Sequence, residues 1–335
     1  MSPPCRRGAS RAGSWIPSRR SSVTCSSGRL RRRRPKPPDP PPSRNASRPR
    51  GPSPTPDETV CALEPEEGFT TAADGVRLFH RVSGKGPFAL VMPVNWGMDS
   101  YLYTKGFSPL EFYLALVTWD PRGVGRSGPV ASPEEFALEV TARDAATVAD
   151  ALGLSRVVVI GHSSGGAVAL TYALRHSDRV SHLILVSTAA HWADAQQAAA
   201  EEAYPETEEE MREDVRASLS RAVLEPARFA RAMDQLLAQS RFSPARYRWT
   251  GEVEWSAYDV RDRLPEIHVP TLIVHGREDA ILPIARAEEL HRGLPQSRLA
   301  ILEACGHWPF VERRDAFVKA VKSFLGLEER VSKSL

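Results

Sequence analysis

The sequence places one serine in a setting that can make its hydroxyl a nucleophile. Ser163 is the centre of the run GHSSG at 161–165, which follows the apolar run VVVI and precedes a segment with helical spacing. A tight turn from strand to helix exposes the central hydroxyl, and only small residues at the two glycine positions, 161 and 165, avoid a clash. The N-terminus of the following helix stabilises negative charge there. We therefore expect Ser163 to attack an acyl carbon and the N–H of Ser164 to bind the resulting oxyanion.

Three further side chains, those of Ser164, Cys305 and His162, are candidates for a catalytic role. Ser164 is also a hydroxyl, but its position is that of the oxyanion donor and not of the tip of the turn. Cys305 lies two residues from His307, a spacing that suggests a Cys–His pair. Residues so close on a strand-to-loop turn rarely reach each other, so we expect Cys305 to be a packed free thiol. We expect the His162 side chain to point away from the tip of the turn at Ser163 and to have a packing role only.

Alternating strand and helix patterns predict the scaffold that positions these residues. Two short strands, Gly68–Thr71 and Val76–Ser83, form a hairpin at a sheet edge. Continuous apolar runs indicate parallel strands buried on both faces: Phe88–Pro93, Leu114–Trp119, Val157–Ile160, Leu183–Ser187, Thr271–His275 and Leu299–Leu302. The predicted helices are a capped one from Ser132 to about Leu152, Gly165–His176, Ile284–Leu294 and Arg314–Leu325. The alternation predicts an α/β fold with a mostly parallel, doubly wound eight-stranded sheet.

Composition divides the chain into a tail, a core and an insertion. Residues 1–63 are a basic Ser-, Arg- and Pro-rich tail, predicted to be disordered because it has too little apolar area to offset the entropy of ordering. Residues 191–258 contain no strand-like run and are predicted to form a helical cap between strands 6 and 7. Residues 64–190 and 259–328 then form the core. The aromatic side chains of the cap are expected to pack inside it: Trp249, Trp255 and Tyr258.

Charge and cysteine content limit the kinds of binding partner and the cellular compartment that we expect for this protein. Residues 1–56 hold 14 Lys and Arg and one acid, whereas the rest of the chain carries 30 basic and 40 acidic residues. Such an acidic body repels phosphates, so no nucleic acid is expected to bind the core. No run of 18 apolar residues predicts a membrane span. The four cysteines lack disulfide or zinc spacing, which favours a cytoplasmic protein. No feature of the sequence indicates an oligomeric state.

Four motifs, in this order along the chain, resemble those of the α/β-hydrolase fold family. They are DPRGVGRS at 120–127, GHSSG at 161–165, HGREDAILP at 275–283 and CGHWP at 305–309. The resemblance covers about residues 66–326 and extends to the branch with proline iminopeptidases, esterases and cofactor-free haloperoxidase-like enzymes. It implies the α/β-hydrolase fold and the chain order nucleophile, acid, histidine. In the first motif, Asp120 and Arg122 are expected to hold the loop through an ion pair and not to contact substrate.

The resemblance implies roles for two more side chains. His307 matches the family's catalytic histidine and Asp279 its acid, whereas Glu278 is an alternative acid that the motif disfavours. His307 is then expected to take the proton of Ser163 and return it to the leaving group, while Asp279 orients the imidazole. An acyl-enzyme forms and water hydrolyses it. Neither a metal cluster nor a dinucleotide glycine motif is visible, so no cofactor is expected.

The second oxyanion donor is expected in the loop after Phe88–Pro93. Family members commonly begin this loop with His-Gly, whereas this chain has Val94-Asn95-Trp96. The donor is therefore either the N–H of Asn95 or that of Trp96, and the Asn95 side chain is a further candidate. Wherever it lies, one such donor contributes roughly 3 kcal/mol to lowering the barrier.

The predicted function is hydrolysis of an ester or amide bond in a small substrate. A serine at position 163 argues against epoxide hydrolases and haloalkane dehalogenases, which use an aspartyl nucleophile in this fold. A proline iminopeptidase-like activity on a short peptide is an alternative, in which cap glutamates hold the amino terminus of the substrate. The candidate glutamates are Glu201, Glu202, Glu206, Glu208, Glu252 and Glu254. A non-catalytic small-molecule receptor on the same fold is the other alternative.

Overall fold

The computed structural model describes residues 64–192 and 204–327. The predicted disordered tail, residues 1–63, lies outside the described residues. An eight-stranded sheet has the order β1-β2-β4-β3-β5-β6-β7-β8. Its strands are β1 (Glu66–Thr71), β2 (Arg77–Gly84), β3 (Phe88–Met92), β4 (Ala115–Trp119), β5 (Val157–His162), β6 (Val180–Val186), β7 (Thr271–Gly276) and β8 (Ser297–Leu302). The predicted fold class is confirmed.

The direction of the strands brings four loops to one edge of the sheet. The first two strands form the predicted antiparallel hairpin, and β2 pairs antiparallel with β4. From β3 to β8 the strand pairs are parallel. Parallel strands end at the same edge, so the loops that follow β3, β5, β7 and β8 lie close together. These loops contain Trp96, Ser163, Asp279 and His307.

Helices cover both faces of the parallel strands. In chain order, the described α-helices are α1 (Tyr101–Gly106), α2 (Leu138–Ala151), α3 (Ser164–Arg175), α4 (Glu208–Ala222), α5 (Pro226–Gln239), α6 (Pro244–Trp249), α7 (Trp255–Ala257), α8 (Ala285–Gly293), α9 (Pro309–Glu312) and α10 (Arg314–Leu325). Leu90 and Val159 pack with α2, α3 and α8 on one face. Their neighbours Val91 and Ile160 pack with α1 and α10 on the other. Burial on both faces explains why the strands read as continuous apolar runs.

The helix predicted to begin at Ser132 begins later. Pro133–Phe136 form a short 3₁₀ turn, and α2 begins only at Leu138. The predicted capping box is absent, since the Ser132 side chain makes no capping bond. The carboxylate of Glu135 instead pairs with Arg122 at 2.9 Å. A charge-assisted bond to a buried guanidinium outweighs a neutral capping bond.

Most of residues 204–258, which lie between β6 and β7, are helical, and we name this range the cap segment. It contains α4 to α7, with a π-helical turn at Thr250–Glu254 between the last two. Thr207 caps α4 in a capping box with Glu210. Among the described residues, none of the helices has the length and apolar character required to cross a membrane.

Candidate active site

Ser163 occupies a strained turn between β5 and α3. Its backbone has φ 53° and ψ −129°, a region that costs a residue other than glycine about 1–3 kcal/mol. Glycines make the turn possible, because a Cβ on Gly165 would stand 2.8 Å from the carbonyl oxygen of Pro93. The hydroxyl of Thr188 donates to the Ser163 carbonyl at 2.6 Å and supports the turn. Ser163 thereby faces a cavity beyond the sheet edge.

The His307 ring joins Ser163 to Asp279. Its Nε2 lies 3.0 Å from Ser163 Oγ, and its Nδ1 lies 2.8 Å from Asp279 Oδ2. A carboxylate can only accept a hydrogen bond, so Nδ1 carries the proton and Nε2 is left to accept the serine proton. The structure therefore brings the three residues that the sequence predicted into one hydrogen-bonded path.

Asp279 is buried and held from both sides. Its Oδ1 accepts the N–H groups of residues 281–282, both at 2.9 Å, which leaves Oδ2 to face His307. Burial raises the pKa of Asp279, but the charge and hydrogen bond of His307 outweigh burial, and the pKa lies below its usual value. Asp279 is therefore a carboxylate at neutral pH. Glu278 is exposed and accepts the N–H of Cys305 at 2.9 Å, away from the imidazole.

Glu312 is a buried carboxylate beneath the His307 loop that the sequence motifs did not indicate. It accepts the backbone N–H groups of Gly306 at 3.0 Å and Trp308 at 3.1 Å, on either side of His307. It also accepts the N–H of Leu224, in the cap segment, at 2.8 Å. Bonds from a carboxylate to three N–H groups fix the loop more strongly than neutral bonds would. The sequence feature that could have indicated Glu312 is its place in an apolar stretch, five residues after His307.

His162 and Cys305 are both buried next to His307. His162 Nε2 lies 3.0 Å from the His307 carbonyl oxygen and so donates to it. Burial, together with the neighbouring His307, lowers the pKa of His162 to about 3, so the ring is neutral. It packs as predicted and also holds the His307 backbone. Cys305 is a buried free thiol, and burial raises its pKa to about 12, which disfavours the thiolate that a Cys–His pair needs.

The loop after β3 presents Trp96 to the cavity. The N–H of Asn95 donates to the hydroxyl of Ser164 at 2.9 Å and is thus already bonded. Trp96 lines the cavity with Ser163 and Ser164, and its N–H has no acceptor among the residues that the structure describes. Ser164 is the first residue of α3, so its N–H has no acceptor within the helix.

Asn95 is the centre of a buried polar cluster that ties this loop to the cap segment. Its Oδ1 accepts from the guanidinium of Arg246, and its Nδ2 donates to the carboxylate of Glu254. Arg246 and Thr250 also donate to its carbonyl oxygen, at 3.0 and 2.9 Å. Burial lowers the pKa of Arg246 to about 10 and raises that of Glu254 to about 7. The Asn95 side chain is therefore committed to the cap segment and not directed at Ser163.

The expected ion pair between Asp120 and Arg122 does not form. Asp120 accepts from the N–H and hydroxyl of Ser100, at 3.0 and 2.6 Å, and from the N–H of Arg126 at 2.9 Å. Arg122 pairs with Asp144 of α2 at 2.7 Å and with two further carboxylates. Each side chain thus holds the loop, but against a different element, because Asp120 faces the loop after β3 and Arg122 faces α2.

The cavity beside Ser163 has a volume of about 160 Å³ and a largely apolar wall. The cap segment contributes Leu219 and Trp255 to it, and the core contributes Leu102 and Trp308. Trp255 was expected inside the cap, so its place on the cavity wall is a correction. A mostly apolar cleft with a few polar groups at one end is typical of small-molecule sites.

The cap glutamates proposed to bind a peptide amino terminus do not line this cavity in the part of the chain that is described. Glu206, Glu208 and Glu252 are exposed, and Glu254 is buried against Asn95. Glu201 and Glu202 lie outside the described residues. The cavity wall contains one described carboxylate besides the site itself, that of Asp214.

Comparisons with known proteins identify relatives of this chain. A family model described as the alpha/beta hydrolase fold matches residues 90–314. A pimeloyl-[acyl-carrier protein] methyl ester esterase of Vibrio atlanticus is 30% identical over 261 residues, which cover 74% of this chain and 97% of that protein. A 2-hydroxy-6-oxo-2,4-heptadienoate hydrolase of Pseudomonas putida is 30% identical over 279 residues, covering 79% and 98%. Among solved structures, an esterase from Exiguobacterium antarcticum matches with a TM-score of 0.66 and 26% identity, covering 77% and 98%.

Proposed function

The chain belongs to the α/β-hydrolase fold family and is a hydrolase, and we propose that it cleaves an ester bond of a small substrate through an acyl-enzyme. Ser163 is the nucleophile, His307 the general base and Asp279 the residue that orients it. The observation that carries the proposal is the path from Ser163 Oγ through His307 to Asp279, with steps of 3.0 and 2.8 Å. Both distances are within hydrogen-bond reach for proton transfer.

The reaction follows from the positions of the protons. His307 Nε2 takes the hydroxyl proton of Ser163 as Oγ attacks the acyl carbon, and Asp279 stabilises the imidazolium that forms. The tetrahedral intermediate expels the alcohol, which takes the proton from Nε2. Water then gives a proton to His307 and attacks the acyl-enzyme, and Ser163 leaves with its proton restored.

Two backbone N–H groups stabilise the oxyanion in this proposal. The N–H of Ser164 is supported by the N-terminal dipole of α3. The N–H of Trp96 is the second donor, because that of Asn95 already donates to the Ser164 hydroxyl. Fixed donors of this kind lower the barrier most where water is excluded, and the apolar cavity wall provides that condition.

An ester is favoured over a peptide as substrate. None of the described cap glutamates lines the cavity, so they offer no anchor for a free amino terminus. The Vibrio atlanticus relative is a methyl ester esterase, which supports the same choice. A wall with mostly apolar residues suits an uncharged acyl group.

The test compares an ester, p-nitrophenyl acetate, with an amide, prolyl p-nitroanilide. We expect ester turnover that Ser163→Ala removes and that Ser256→Ala, a change at an exposed serine of the cap segment, leaves intact. Turnover of the anilide but not the ester would establish the peptidase instead. Binding without turnover of either substrate would contradict the proposal and favour a receptor.

A further inference from the structure

A second apolar cavity adjoins the one that contains Ser163. Its volume is about 130 Å³, and it lies between the cap helix α5 and the core. Leu102, Leu219 and Trp308 line both cavities. Because the same three side chains face both spaces, the partition between them is one side chain thick.

The chemistry of the second cavity is uniform. From α5, four apolar residues line it at helical spacing: Phe229, Ala232, Met233 and Leu236. Its charged lining residues are Lys105 and Arg314, and both are exposed at the rim. No carboxylate, amide or hydroxyl side chain is among its described lining residues. The indole N–H of Trp308, which is buried without an acceptor, is the one uncharged polar side-chain group among the described lining residues. The interior therefore offers mainly apolar contact area, which suits a hydrocarbon chain.

The apolar side of α5 lacks a complete protein cover. Phe229, Met233 and Leu236 are each only partly buried although they face the core. An open apolar groove next to a reaction site is a typical feature of ligand binding, and methionine adapts to ligands of varied shape. The three lining side chains that the second cavity shares with the Ser163 cavity favour part of the same substrate as its occupant.

We propose that the second cavity binds the unbranched apolar chain of the acyl group, so that the substrates are medium-chain acyl esters. This inference rests on the proposed function. At about 130 Å³, the second cavity is close in size to the first, at about 160 Å³. Carbons next to the scissile carbonyl occupy the first cavity, and the rest of the acyl chain occupies the second. The chain passes between Leu219 and Trp308, and a change of the leucine rotamer opens the partition.

The test places a bulky side chain of α5 in the second cavity, which we also call the groove. Ala232 lines it at the exposed rim, whereas Ala230, two residues earlier on the same helix and also exposed, does not line it. We expect the ratio of kcat/KM for p-nitrophenyl octanoate to that for the acetate to be high in the wild type, since each buried methylene contributes about fourfold (roughly 0.8 kcal/mol). Ala232→Trp is expected to lower this ratio at least tenfold, and Ala230→Trp to retain it.

The ratio cancels any general effect of a variant on catalysis. Equal ratios in Ala232→Trp and Ala230→Trp, or a preference for octyl acetate over p-nitrophenyl octanoate, would overturn the proposal. Met233→Ala widens the groove and provides a second variant, with an expected rise of the decanoate-to-octanoate ratio.

A binding experiment separates this inference from the proposed function. Octanoate is titrated into Ser163→Ala by calorimetry, with acetate as the comparison. We expect octanoate to bind at least tenfold more tightly than acetate, and Ala232→Trp in the same background to remove the difference. An absence of ester turnover together with selective octanoate binding would refute the proposed function and support the groove. Equal affinity for the two acids would refute the groove.

Discussion

Replacing Glu312 with glutamine tests whether one buried carboxylate holds the His307 loop in place. The carboxylate accepts three backbone N–H groups, those of Leu224 and Gly306 at Oε2 and that of Trp308 at Oε1. A glutamine has a single acceptor oxygen. With that oxygen at the Oε2 position, the side-chain NH₂ group faces the N–H of Trp308, which then has no acceptor.

The expected loss of stability follows from the one N–H group, that of Trp308, that loses its acceptor. A buried N–H without an acceptor costs about 1–3 kcal/mol, which for a domain of this size lowers the Tm by roughly 3–10 °C. Because Trp308 is next to His307, the loop also loses part of its alignment with Ser163. A displacement on the order of 1 Å can cost about 10²-fold in rate. We expect Glu312→Gln to lower kcat about 10- to 100-fold and to leave KM unchanged.

The assay combines thermal unfolding, steady-state kinetics on p-nitrophenyl acetate and the rate of labelling by a fluorophosphonate probe. The matched control is Glu303→Gln, at an exposed glutamate that pairs with Arg277 at 2.7 Å. An exposed pair contributes about 0–1 kcal/mol, so this variant should have the wild-type kcat. If Glu312→Gln is destabilised but keeps the wild-type kcat and labelling rate, the carboxylate stabilises the fold without positioning the imidazole, and the reasoning is refuted.

Three further changes have defined outcomes. Asp279→Asn should lower kcat by about 10⁴-fold, because the amide favours the wrong imidazole tautomer; a loss below tenfold would contradict its role. Burial raises the pKa of Glu254 to about 7, so the stability it contributes is complete below its unfolded pKa of about 4.5 and is lost as pH rises through 7. Urea unfolding should show that the free energy of unfolding of the wild type falls by up to ~3 kcal/mol, relative to that of Glu254→Gln, between pH 4.5 and 8. A difference between the two free energies that does not change with pH would contradict this. Gly165→Ala places a Cβ 2.8 Å from the Pro93 carbonyl oxygen and should remove most activity at a measurable cost in Tm.

The elements with strong local patterns could be predicted from the sequence. Four of the six apolar runs, those in β4, β5, β6 and β7, are covered on both faces and buried along their whole length. Phe88, at the start of β3, is exposed, and the edge strand β8 is only partly buried. The GHSSG turn was recognisable because glycines are required two positions before and two positions after Ser163. The helix start at Ser132 was wrong, since its local capping signal competed with Arg122, a partner distant in the sequence.

The residues that hold the site depend on contacts that no local pattern encodes. Glu312 acts through three N–H groups, one of them 88 residues away. Arg246 reaches Asn95 across 151 residues. The choice between Asn95 and Trp96 as oxyanion donor was likewise open, because it depends on where the Ser164 hydroxyl accepts a bond. Spacing can indicate that such loops meet, but not which of their polar groups pair.

The most direct test of the account asks which side chain reacts. The full chain is treated with a fluorophosphonate probe, digested, and mapped by mass spectrometry, beside Ser163→Ala and His307→Ala. We expect a single adduct on Ser163, strongly reduced labelling when His307 is replaced and none when Ser163 is replaced. An adduct on any other residue, or labelling of Ser163 that does not depend on His307, would contradict the account.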